Sequence, residues 1–150
     1  CRRSRAHARI VGARLELDWR QQAVAQGCEL WTTVVQASFP LAQELLERFF
    51  TLLGLPVPRN LDGSASALRS ALALEPELRA VSVEGFRQPF LLDGVQGDLF
   101  TLRVDGQPLE GLRLQHEDPS LLHQAVEGLD LARRDSIDMP QAFKRALGLT

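Results

Sequence analysis

Tyrosine is missing from this chain of 150 residues, which holds one methionine, one lysine and two cysteines. Cys1 and Cys28 are too few for a disulfide framework or a four-thiolate zinc site. Aromatic residues make up only 6% of the chain, so the core has to be built from aliphatic side chains. No aromatic side chain interleaves with the arginines of the first fourteen residues, which removes the stacking platform that single-stranded nucleic acid needs. No apolar run reaches the ~18–20 residues of a membrane-spanning helix. The stretch from Leu41 to Leu55 comes nearest, but Gln43, Glu44, Glu47 and Arg48 interrupt it.

Motifs of chemistry are equally scarce. The chain has no HExxH, no CxxC and no GxSxG. The Gly94-Val95-Gln96-Gly97 segment is not followed by the lysine of a phosphate loop and reads as a turn between strands. Asp135 and Asp138 are close enough in sequence for acid–base work, yet they sit in a connecting segment where aspartate serves turns and caps. No catalytic residue and no cofactor site is therefore assigned.

What is present is leucine, arginine and a charge asymmetry. Sixteen arginines stand beside the single Lys144, a bias that reads as codon composition. Five of them, Arg2, Arg3, Arg5, Arg9 and Arg14, fall in the first fourteen residues, which hold no acid. The other twelve basic residues face all 19 acids, so residues 15–150 carry seven negative charges in excess. Such a split predicts a flexible basic arm, residues 1–14, on a single acidic domain, residues 15–150. The five arginines become the candidate interaction residues. They suit a protein partner or an anionic surface, whereas the acidic body disfavours nucleic acid.

Periodicity predicts the elements. Val24, Cys28, Trp31 and Val35 recur at helical spacing, so Leu15 to Ala37 is expected to be a helix. Pro40, with Ser38 as a cap, is expected to open a second, striped by Leu41, Leu45, Phe49 and Leu52 and stopped by Gly54. A short helix should run from Ser64 to Leu74. The period then changes to two. Residues 80–116 predict an antiparallel sheet of three or four strands, with Asp105-Gly106 as a type I′ turn and a bulge at Gly111. Asp118-Pro119 should open a helix over Leu121 to Leu129 that Gly128 interrupts. Asp138 or Ser136 should open a last one, stopped at Gly148.

The expected class is α+β, with leucine-rich helices packed on a small antiparallel sheet in the order ααα-βββ(β)-αα. The expected function is non-enzymatic: an adaptor, chaperone-like or accessory subunit of a larger protein assembly, in the cytoplasm or an organelle, without a membrane span. The alternative is a small metal-dependent enzyme or metal-binding module. It would use His116 at a strand end and His123 one helical turn into the next element, with Glu117 and Asp118 beside them.

Overall fold

The computed structural model describes residues 6–23, 28–131 and 133–149. The class is α+β, with two three-stranded antiparallel sheets and four helices. The described residues divide into two compact units, one built mainly on residues 6–22 and 29–80 and the other on 81–149. Each unit runs strand, strand, strand, helix, helix.

The first unit holds β1 (Ala6–Val11), β2 (Arg14–Ala23), β3 (Glu29–Ser38), α1 (Gln43–Leu53) and α2 (Ala65–Leu72). Strand β2 lies in the middle of its sheet. One sequence expectation changes here. The helix expected over Leu15 to Ala37 is two strands. Leu15 and Leu17 point from alternate positions of β2 into the core and are almost fully buried, the period of a strand and not of a helix. Val24 lies outside the described residues, and Cys28 is a half-buried free thiol. Within the stretch expected as a basic arm, residues 1–14, Ala6–Val11 forms β1 and pairs along its whole length with β2, Ala6 opposite Trp19 and Val11 opposite Arg14.

Strand β3 explains the misleading spacing. The Thr33 hydroxyl donates to Asp18 and the Gln36 amide donates to Glu16. Thr33 and Gln36 thus both reach β2 on the outer face although they stand an odd number of positions apart, so the alternation of β3 breaks between them. At that break the adjacent Val34 and Val35 both pack toward the core cluster.

Helix α1 begins at Gln43, not at Pro40. Ser38 ends β3, the Phe39–Pro40 peptide is cis, and Ala42 precedes the helix without a side-chain cap. The segment is held instead by backbone: the Leu41 N–H donates to Gly63. Leu46, Phe49 and Phe50 bury the inner face of α1 among Leu15, Leu17, Val35, Leu41 and Leu68. The two phenyl rings meet edge-on, 5.7 Å between centroids at 82°, the arrangement their quadrupoles favour.

The second unit holds β4 (Val83–Leu92), β5 (Val95–Val104), β6 (Gln107–Gln115), α3 (Pro119–Gly128) and α4 (Met139–Ala146). Both turns of its meander are two residues long. Asp93-Gly94 and Asp105-Gly106 have positive φ at both positions, the requirement of a type I′ turn. The bulge expected at Gly111 is replaced by an unbroken register, Leu99 opposite Leu112, Phe100 opposite Gly111, Thr101 opposite Glu110. Gly111 has another role. The Phe100 ring lies across it, and a Cβ there would come within 2.5 Å of that ring. Phe90 covers Gly97 on the neighbouring pair in the same way. Each glycine is the gap into which a cross-strand ring lies flat.

Asp118 and Asp138 cap α3 and α4 as the sequence indicates, accepting from the Ser120 and Gln141 N–H groups. Three helices then end alike. Gly54, Asp130 and Gly148 adopt positive φ, and the leucine after each donates its N–H five residues back, Leu55 to Phe50, Leu131 to Val126, Leu149 to Lys144. This is the Schellman closure, which satisfies carbonyls that the helix end leaves open.

Candidate functional site

The arginines singled out from sequence fall into three groups. Arg2, Arg3 and Arg5 lie outside the described residues. Arg14 is exposed beside the β1–β2 turn. Arg9 faces Glu16 directly across β1 and β2. Its guanidinium pairs with the Glu16 carboxylate and lies 3.7 Å from Asp18. Gln36 donates to the other Glu16 oxygen at 3.0 Å. The Gln36 hydrogen bond, followed by that from Arg9, holds the Glu16 carboxyl below the usual carboxylate range. The ladder continues along the sheet. Arg20 meets Glu29 at 2.8 Å, and the Trp31 indole N–H donates to the second Glu29 oxygen at 3.0 Å. Arg9 is therefore occupied in tying the outer face of its own sheet.

The histidine cluster is used in capping. His116 Nδ1 accepts the Asp118 backbone N–H at 2.9 Å. Asp118 spends its carboxylate on Ser120, whose hydrogen bonds lower its pKa. His123 points along α3 to Glu127, 3.2 Å away. Among the described residues no three His, Cys, Asp or Glu side chains converge to hold a metal ion. Nor does any described helix have the length and apolarity to cross a membrane.

Two features that the sequence reading did not single out remain, both in the second unit. The first is an apolar patch on its sheet. Strand β4 is an edge strand, and its residues 83–89 are all exposed. Phe86 is 84% exposed. Its cross-strand partner is Thr101, which puts it diagonal to Leu99 on the same face. Leu99 is 50% exposed. Alternating apolar residues along a strand signal a face, but sequence does not say which faces are covered.

The second feature is a cavity of about 220 Å³ between α3 and the tip of the β4–β5 hairpin. Val95 and Ala125 line it and are nearly buried, and Leu92, Leu121 and Leu129 join them. Asp93 and Gln124 supply its polar groups. Asp93 makes no ion pair among the described residues.

No known protein family, curated protein or solved structure matches the chain.

Proposed function

We propose that this protein is a non-enzymatic binding module, an accessory or adaptor subunit that holds a protein partner on the sheet of its second unit. The observation that carries the reading is Phe86, a large apolar side chain left in solvent on a three-stranded sheet. Burying a phenylalanine is worth roughly 1.5–3 kcal/mol. Contiguous exposed apolar surface of this kind marks interaction sites, and aromatic side chains are enriched where binding energy concentrates. Leu99 extends the patch to the central strand. The rest of the described surface favours the same class. Among the described residues, Glu16 and Glu29 are held in cross-strand pairs and His116, Asp118 and Asp138 in caps, and none of these belongs to a nucleophile–base arrangement of the kind that covalent catalysis uses.

The test is site-directed photocrosslinking in the cell that makes the chain, with benzoylphenylalanine at position 86, at position 99 and at the exposed Glu47 of α1. One discrete adduct of the same mass from positions 86 and 99, and none from 47, is the expected result. No discrete adduct at 86 and 99, or the same labelling at all three positions, would overturn it.

A further inference from the structure

The two units of the chain share a helix design, and the difference between them locates a binding seat. The seat rests on the protein-binding role proposed above. Helices α1 and α3 close with the same hydrogen bond, from the residue after the left-handed one to the carbonyl five back. Counting from those left-handed residues, Gly54 and Asp130, puts Ala125 at the place of Phe49 and Gly128 at the place of Leu52. In the first unit the Phe49 ring is fully buried in the core, and Leu52 packs against the same cluster. In the second unit a phenyl ring is reduced to a methyl and an isobutyl group to a hydrogen. The cavity lies there, with Ala125 and Gly128 in its wall.

We propose that this cavity seats one aromatic side chain of a partner, carried next to a basic residue. Its size fits, since an apolar cavity of about 150 Å³ already holds a benzene ring and this one measures about 220 Å³. Its lining fits as well: Leu92, Val95, Leu121 and Leu129 offer apolar contact, as the core does to Phe49. The charge selects what accompanies the ring. Asp93 stands in the wall as a carboxylate without an ion pair among the described residues, and residues 15–150 are acidic as a whole. A cationic group beside the ring meets complementary potential there.

Phenethylamine, a phenyl ring with one cationic amine, is the probe. It is titrated into the full chain while the methyl signals of Val95, Ala125 and Leu129 are followed by NMR. Saturable shifts are expected at those methyls and at Leu92 and Leu121, the other leucines of the lining, and not at the core methyls of the first unit. The uncharged benzyl alcohol should bind more weakly. Asp93→Asn should weaken phenethylamine about two- to fivefold, the effect of one exposed ion pair. Ala125→Phe, which returns the ring of the first unit to its place, should abolish the shifts. Should that variant not fold, Gly128→Leu fills the same space from the next turn. An acetylated Arg-Phe-Ser amide should bind at least as tightly as the free amine.

Absence of saturable shifts, or full binding by the filled variants, overturns the seat. Equal binding of benzyl alcohol overturns the basic residue, and weaker binding of the peptide overturns a partner chain as the source. The crosslinks at 86 and 99 do not depend on the cavity. Their loss with phenethylamine still bound would remove the function proposed above and leave the seat standing.

Discussion

Counting back from the residue that ends each helix, α1 carries Phe49 and Leu52 where α3 carries Ala125 and Gly128. The two helices have nearly equal lengths, 11 and 10 residues, and the same C-terminal closure. Both are followed by a short capped helix of eight residues, α2 and α4. What they share lies in backbone geometry, where a left-handed residue and a following leucine terminate the turn. What separates them lies on the inner face. One unit fills the space under its first helix with its own phenyl ring, and the other leaves part of it open. The scaffold is thus set by ends and caps, while the inner face decides between a core and a cavity.

The largest test of this contrast is truncation at the matched position. Phe49→Ala should cost about 3–5 kcal/mol, as expected when a buried ring is removed from a packed core. Ala125→Gly should cost only about 1 kcal/mol, the helix propensity difference. Urea denaturation of each variant reads both numbers. Equal losses would mean that the two positions do not differ as the structure indicates.

A smaller effect sharpens what the helices share. Gly54 and Asp130 have φ of 71° and 52°, and a side chain in that region costs about 1–2 kcal/mol. Gly54→Ala should therefore lower stability by about 1 kcal/mol. Asp130→Gly should raise it by about 0.5 kcal/mol at most, because the added freedom of glycine in the unfolded chain offsets part of the relief. Thermal melts of the pair decide it, and a loss on Asp130→Gly would argue against the shared closure.

The smallest effect separates the two sheets by pH. Glu16 of the first unit has its pKa lowered by the Gln36 and Arg9 contacts. A carboxyl whose folded pKa lies below its unfolded one contributes stability above the unfolded value and loses it as pH falls through the folded value. Stability should therefore decline as pH drops below the ordinary glutamate range. Glu16→Gln should flatten that decline and cost about 1 kcal/mol or less at neutral pH, as for a partly exposed pair. Urea midpoints between pH 3 and 7 give the comparison; an unchanged acid slope in the variant would remove Glu16 as its source.

The helices were legible in sequence because their signals are local. Ser64, Asp118 and Asp138 announce caps, Gly54 and Gly148 announce stops, and the aspartate-glycine pairs announce tight turns. The first sheet was not. The alternation of β3 breaks at Val34 and Val35, and the chance spacing of Val24, Cys28, Trp31 and Val35 imitates a helix face. The five arginines stood out as charge, but charge count does not show that Arg9 lies opposite Glu16. The cavity left no positive signal at all: Ala125 reads as an ordinary buried residue and Gly128 as a helix interruption. A void becomes visible only when the same position is filled elsewhere.

Pro89 of β4 has a consequence for strand addition at the edge of its sheet. The residues that flank the Asp93-Gly94 turn, Leu92 and Val95, form a bonded pair, so alternate residues back along β4 bond inward and those between them, Pro89 included, face outward. The outer rim therefore has a missing donor in its middle. A strand from another molecule cannot zip along it end to end, and head-on stacking into fibres is interrupted at that step. The rim is thus denied to a continuous strand while the face that carries Phe86 stays exposed.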